Sequence, residues 1–600
     1  MALGRDVIFD YLGDLGVEYL FGVPGTNEIP IIDGTAVPGS PVKYIPCLHE
    51  NIAMGAATGY ARMTGKPGVV LLHVTPGAGH GLGNLFNAFK SHGPLLVLCG
   101  QQQSELILQE PLLASDLVRV AQQYTKWAYE VRSPQELPLA LQRALKVAIA
   151  PPTGPVFLSI PWDFTLVDVV WPGPGKVTQI APHFSGDPTA VAAAADRLAS
   201  ARAPIIVAGD GVGYADAWAE LQTLAELLGA HVYSETLSSM MNYPNSLPEW
   251  QGELPGLQLK VQEVFADCDV AFLCGFNAQA QVVVFEPLRG PLIPESVTQV
   301  YLHNDPWEIG KNHYGEVAVL GDIKATLPLL CEAIGQHPAL DPAAAEGRKQ
   351  HLGELASKRD ELFAAHGESL ARANAARLAT ASETPAITGA QVAQTLGQLQ
   401  EELDLSLVYV HEAISDSPYF QKYLQYPTPT SYYSVEGGSL GYSMPASLGI
   451  KLAVGEQRLV VNAVGDGSAL FYPQVWWTAA KFNLPILTVI LNNREYKTLL
   501  MGLQQVTQLY PPWQPTGDPW YLHLEQPPLS FPQIAASFGV DLGDTVADPA
   551  ALRDALIKGL DSVQQGRPYV LEVRTDPSLP PTDVPEPRLD VVQAAKEGML

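Results

Sequence analysis

The run Leu459-Val460-Val461-Asn462-Ala463-Val464 passes straight into Gly465-Asp466-Gly467-Ser468, and a second apolar run, 486–491, ends on Asn492-Asn493. Short aliphatic runs bounded by turn residues are the pattern of strands buried on both faces of a parallel sheet. Working outward, the same alternation of apolar runs with helix-like stretches recurs at 17–22, 68–73, 94–100 and 155–160. It returns at 203–208, 270–274 and 300–303, and again at 407–410 beside the quoted pair. The expected fold class is α/β, with three doubly wound parallel-sheet domains at 1–170, 185–340 and 386–575. A Pro- and Gly-rich linker is expected near 171–190. An Ala-, Glu- and Lys-rich helical linker is expected over 341–385, and a tail over 576–600 starts Pro-rich and finishes in a helix candidate at 588–599.

Composition agrees with a packed multidomain chain. Six hundred residues are 47% hydrophobic and only 16% charged, far from a disordered composition. Lys and Arg number 35 against 62 Asp and Glu, a net charge of −27 that repels phosphate backbones and anionic lipid, so neither a nucleic-acid nor a membrane partner is expected. No apolar run reaches the roughly 18 residues of a membrane helix and the first ten residues lack a signal-peptide pattern, so a cytoplasmic location is expected. Cys47, Cys99, Cys268, Cys274 and Cys331 have no metal-site spacing and read as buried thiols.

The chemistry sits in the quoted stretch. A glycine turn at a strand end lets the backbone approach a phosphate, and the helix start that follows presents free amides. A diphosphate held through Mg²⁺ needs hard oxygen ligands, which Asp466, the Asn493 amide oxygen and a backbone carbonyl near Glu495 supply. The bland alternative makes Asp466 and Asn493 turn and cap residues of an ordinary doubly wound sheet.

Gly-Asp-Gly followed at this spacing by the double Asn resembles the thiamine diphosphate signature. Glu50, at a strand end running into the Ala/Gly-rich stretch 50–62, fits the glutamate by which the decarboxylase superfamily activates that cofactor. Its alternative is a helix-start acid stabilised by the macrodipole. Phe21-Gly22-Val23-Pro24-Gly25-Thr26-Asn27-Glu28, His73-Val74-Thr75-Pro76-Gly77, Asn87-Ala88-Phe89 and Gly100-Gln101-Gln102 are similar to the benzoylformate decarboxylase family, as are Ser431-Tyr432-Tyr433 and Gly437 to Gly441.

The resemblance implies pyrimidine-binding, central and diphosphate-binding domains, with thiamine diphosphate and Mg²⁺ (or Ca²⁺) as cofactors. The implied catalytic residues are Glu50, His73 and Thr26, with Thr26 standing where the family holds the substrate carboxylate by a serine. Gly25, Ser415, Gly437, Gly438, Leu440, Gly465, Gly467, Ser468 and Tyr496 are the implied cofactor contacts. Asp466, Asn493 and Glu495 are the implied metal ligands. Leu440 takes the place of the apolar wedge under the cofactor, or is simply core. His80 reads equally as a helix-face residue or a second catalytic one, and His49 as packing beside Glu50.

Departures from the pattern bear on the substrate. The family's second histidine, from the central domain, has no counterpart in 275–287, where Gln279 or Gln281 stands instead, and an amide cannot shuttle a proton as imidazole does. Ser434 replaces a bulky aromatic, so Gln281, Ser434, Thr498 and Leu499 are the expected substrate-pocket residues. The segment 504–531 reads as a lid or a plain surface loop. The implied reaction is non-oxidative decarboxylation of an aryl or aliphatic 2-oxo acid to an aldehyde, with carboligation at its side. The alternative is a 2-hydroxyacyl-thioester lyase or acetolactate synthase-like carboligase, for which FAD is conceivable though not expected. Small-molecule 2-oxo acids and aldehydes are the implied partners. The resemblance further implies a homodimer at least, with a homotetramer as the expected assembly.

Overall fold

The computed structural model describes residues 2–171, 175–181, 183–277, 290–380, 387–435 and 437–576. Its first unit opens on β1 (Ala2–Leu3) and carries β2 (Tyr19–Gly22), β3 (Lys43–Pro46), β4 (Gly68–Leu72), β5 (Leu95–Gln101), β6 (Trp127–Glu130) and β7 (Val156–Pro161). Strands β2 to β7 form a parallel sheet in the order β3-β2-β4-β5-β7-β6, and β1 pairs antiparallel with β8 (Asp168–Val169), tying the unit's ends together. A second parallel sheet contains β9 (Pro204–Ala208), β10 (His231–Ser234), β11 (Trp250–Glu253), β12 (Val270–Cys274), β13 (Thr298–His303) and β14 (Val317–Leu320), ordered β11-β10-β9-β12-β13-β14. The third holds β15 (Leu407–Glu412), β16 (Tyr432–Ser434), β17 (Leu459–Gly465), β18 (Ile486–Asn492), β19 (Asp544–Val546) and β20 (Tyr569–Arg574), ordered β16-β15-β17-β18-β20-β19. Three doubly wound α/β sheets are therefore present, as the alternation of apolar runs requires. The quoted strands β17 and β18 lie side by side in the middle of the third.

The stretch read as a helical linker is one helix, Pro342–Thr380. The tail 577–600 with its helix candidate, and Gln279 and Gln281, lie outside the described residues.

The first and third units are packed through two helices, Glu50–Thr64 and Ser443–Val454, which contribute to one shared apolar cluster containing Ala53, Ala57, Val408, Val410, Ala446 and Leu448. Their backbones touch: a Cβ on Gly59 would stand 2.2 Å from the Ala446 carbonyl oxygen, and one on Gly449 would stand 1.8 Å from that of Ala56. The Ala/Gly run after Glu50 is thus a close helix crossing, which fixes the start of the Glu50 helix against the third unit.

Candidate active site

In an open parallel sheet, ligands bind beyond the carboxyl ends of the strands. A cavity of about 440 Å³ lies there in the third unit, lined by Glu412, Ile414, Ser415, Gly438, Leu440, Gly465, Asp466, Gly467, Ser468, Phe471, Asn493, Glu495, Tyr496, Thr498 and Leu499, among others. Asp466 opens the short helix Asp466–Ala469 at the end of β17. One carboxylate oxygen accepts from the Gly467 amide at 3.0 Å and the other from the Arg494 amide at 2.7 Å. The Asn493 side-chain oxygen accepts from the Glu495 amide at 2.8 Å. The two asparagines have separate duties, because Asn492 donates to buried Glu572 at 2.8 Å and serves the sheet. Gly467 leaves room for the Tyr496 ring, which would be 2.6 Å from a Cβ there.

Glu412, at the end of β15, was not among the sequence candidates. It is 1% exposed and accepts from the Gly441 amide at 2.6 Å and the Ser443 amide at 2.7 Å, so it clamps the loop that carries Gly438 and Leu440. Burial raises its pKa, while those amides pull it back. Its place at the carboxyl end of a strand beside the quoted pair is the one sequence signal that could have found it.

The other candidates gather in the first unit. His73 follows β4 and begins the helix Val74–His80, and its Nδ1 lies 2.8 Å from a carboxylate oxygen of Glu28, which is wholly buried. Burial raises the Glu28 pKa and His73 opposes the shift. Gly25 makes this contact possible, since a Cβ there would fall 2.1 Å from His73 Nδ1. Glu28 stood inside the quoted motif without a role, and the structure makes it the partner that orients the His73 ring. Thr26 is exposed, its hydroxyl 3.2 Å from the Asn27 amide oxygen. Glu50 is the first residue of its helix and is 8% exposed; its side chain meets His80 Nδ1 at 3.2 Å. His80 stacks on His49, whose ring in turn lies 4.9 Å from Tyr472.

The described lining of the 440 Å³ cavity does not include the first-unit group. Among the described residues, the lining of the 440 Å³ cavity comes only from 412–499. Glu50 approaches it through its neighbours: Asn51 donates to the Tyr472 hydroxyl at 2.6 Å, next to the lining residue Phe471, and Asn87 donates to the Ser439 carbonyl at 2.8 Å, next to Leu440. Gly437 sits at that seam, where a Cβ would fall 2.5 Å from the Asn87 side-chain oxygen. Ser434 is apart from the cavity on β16, its amide bonded to the Ser239 carbonyl. The stretch read as lid or loop is partly helical, because the helix Lys497–Leu509 runs into it from the cavity rim.

Three family models match in chain order: the N-terminal TPP binding domain of thiamine pyrophosphate enzymes at residues 3–121, their central domain at 191–330 and their C-terminal TPP binding domain at 415–573. The chain belongs to the thiamine diphosphate enzymes. Benzoylformate decarboxylase of Pseudomonas aeruginosa is 29% identical over 577 residues, 94% of this chain and 98% of its own length. The acetolactate synthase isozyme 3 large subunit of Escherichia coli is 26% identical over 588 residues, 96% of each chain. Among solved structures, the thiamine diphosphate-dependent 4-hydroxybenzoylformate decarboxylase of Rhodococcus jostii superposes with a TM-score of 0.77 at 25% identity, covering 96% of this chain and all of that one.

The residues of this thiamine diphosphate enzyme fit the cofactor and a metal. A glycine-rich cradle, a partly buried Leu440 and a set of hard oxygen donors around a buried carboxyl suit a diphosphate held with a small divalent cation. Burial raises Asp466 from its ordinary value to about 7, so without a cation the charged form is disfavoured. A carboxyl whose folded pKa lies above its unfolded one binds more protons when folded, so stability falls as pH rises from about 4 to about 7. Asp466 therefore costs the metal-free protein on the order of 4 kcal/mol across that window. The difference in unfolding free energy between wild type and Asp466→Asn, followed over this pH range without metal, is expected to show that slope. Mg²⁺ with cofactor is expected to remove it. A flat difference would show that Asp466 does not titrate in the fold.

Proposed function

We propose that this enzyme decarboxylates a 2-oxo acid without oxidation, releasing carbon dioxide and an aldehyde, and that Glu50 is its activating acid. The carrying observation is the nearly buried Glu50 carboxyl at a helix start in a first unit of this family, with an imidazole as its side-chain partner. Thiamine diphosphate, when bound, supplies a carbon nucleophile and an electron sink for the departing carboxylate. Asp466, Asn493 and the Glu495 carbonyl would hold the cation, with Ser415, Gly465 and Ser468 around the diphosphate. Glu50 would hold and return a proton at the pyrimidine ring nitrogen. His73, steadied by Glu28, would move protons at the substrate carbonyl, with Thr26 toward its carboxylate. Leu440 would pack against the cofactor, held in place by the Glu412 clamp. Thr498 and Leu499 at the cavity rim would face the substrate. Among the described residues the lining of this cavity comes from the third unit, which agrees with a dimer in which the first unit of a second copy completes each site.

The test is carbon dioxide release from a panel of aryl and aliphatic 2-oxo acids, with and without thiamine diphosphate and Mg²⁺. Release that needs both supports the reading. No release from any acid, with cofactor shown to be bound, transfers the proposal to the lyase or carboligase alternative.

One observation bears on the flavin of the synthase branch. In the second sheet, the helix start after the strand at the topological switch point, where a dinucleotide phosphate is ordinarily received, already faces a carboxylate. The Asp210 amide donates to Glu235 at 2.6 Å, and the Asn277 amide donates to the other oxygen at 2.8 Å. Gly209 is pressed against Gly275, with room for no Cβ. A phosphate there would have to displace the buried Glu235 carboxyl from both amides. Purified protein is therefore expected to be colourless, and a stoichiometric flavin spectrum would refute this.

A further inference from the structure

Two imidazoles flank the carboxyl that the proposed chemistry needs. One nitrogen each from His49 and His80 and one oxygen of Glu50 lie within 4.8 Å of one another, the one such group of three found among the described residues. We propose that His49, Glu50 and His80 form a second cation site, separate from Asp466, that takes a borderline-soft divalent ion of the zinc type. When occupied, it removes Glu50 from the pyrimidine. This second half rests on the Glu50 reading above; the binding itself does not.

The donor set separates the two sites chemically. Asp466, Asn493 and Glu495 offer only hard oxygens, which suit Mg²⁺, whereas two imidazoles and a carboxylate are a zinc set with room for a water. Zinc holds nitrogen at about 2.0–2.1 Å and carboxylate oxygen at about 2.0–2.2 Å, which puts two ligands of a tetrahedral ion roughly 3.4 Å apart. His80 Nδ1 and Glu50 are already at 3.2 Å, so the ion takes the place of the hydrogen between them. His49 has only to close in. Its Nδ1 now accepts from the Asn51 amide at 3.1 Å and caps the helix, so ligation gives up that bond. Access is open, because the His80 side chain is 60% exposed while Glu50 is not. A solvent-facing imidazole thus leads a cation to a carboxylate that is otherwise shielded. The fully buried thiols Cys47, Cys99 and Cys274, whose pKa values burial raises, are poor competitors for the ion.

The experiment titrates Zn²⁺ into the full-length, metal-stripped protein by calorimetry, in excess Mg²⁺ and without thiamine diphosphate. One equivalent per chain is expected. His80→Asn and His49→Asn, the latter keeping a good helix cap, are each expected to weaken binding by at least about 100-fold, since even loss of an outer partner of a ligand costs about 10–100-fold. Absence of saturable binding, or unchanged binding in both variants, overturns the site. Adding thiamine diphosphate is expected to weaken zinc binding in the wild type; no shift overturns the occlusion. If Glu50→Gln retains turnover, the Glu50 reading has failed, and the calorimetric result still judges the site on its own.

Discussion

Glu50→Gln lowers kcat by at least about 100-fold, and by as much as about 10⁴-fold, the range over which a positioned acid or base contributes. The amide keeps the shape and can still hydrogen-bond His80, but it neither gives nor takes a proton. Folding is expected to survive. The carboxyl is bonded at the rim of its helix rather than inside a core, and its charge at the helix start contributes about 0.3–1 kcal/mol through the macrodipole. The prediction therefore separates two accounts of one residue. A helix-start acid with no chemical duty would lose a little stability and almost no turnover. An activating acid loses nearly all turnover and a little stability. Steady-state kinetics beside a thermal unfolding curve decide, and activity within a few-fold of wild type would remove Glu50 from the mechanism.

The site was legible where its chemistry depends on residue types in one strand-turn unit. Gly465 to Ser468 and Asn493 lie at the carboxyl ends of the adjacent strands β17 and β18, so sequence spacing alone brings them together. Glu28 and Glu412 were missed for a different reason. Each acts through a contact across the fold, with His73 45 residues away and with Gly441 29 residues away, and nothing local marks a carboxylate as buried. The same limit applies to the strands. The central strands β4, β5, β7, β9, β12, β17 and β18 are continuous apolar runs and read correctly to within a residue or two. The edge strands β3, β6, β11, β14, β16 and β19 have only three or four residues and mostly keep one side partly exposed, so no periodicity could develop in them. The glycines in the Ala/Gly run after Glu50 cost helix propensity, and they make sense only against the second helix that the run meets.

Arg62→Ala is expected to destabilise the fold by about 3–5 kcal/mol, because Arg62 is where all three units meet. From the C-terminal end of the Glu50 helix it donates to the Ser239 hydroxyl at 2.8 Å and the Ser239 carbonyl at 3.2 Å, in the second unit. Its guanidinium lies 5.1 Å from the centre of the Tyr433 ring in the third unit and 5.6 Å from that of Tyr214 in the second. Ser239 passes the contact on, donating its hydroxyl and amide to Asp210, which is fully buried. Two opposing terms decide the size. Burying a guanidinium and a carboxylate is costly, and two guanidinium nitrogens, Nε and Nη1, make no protein hydrogen bond, so the pair as a whole adds little over an apolar substitute. Removing only the cation is different, since the Ser239 hydroxyl and carbonyl then lose their donor, and Asp210 keeps its bonds to Ser239 but loses the positive charge behind them. Arg62→Met, which retains the stem between the two tyrosines, tells charge from packing: it should recover part of the loss, and Arg62→Met with Asp210→Asn should recover more than either change alone predicts. Denaturant midpoints and the rate of proteolysis between the units measure both. An Arg62→Ala protein within about 0.5 kcal/mol of wild type, the range of an ordinary surface substitution, would show that the helix crossing holds the units together without the relay through Ser239.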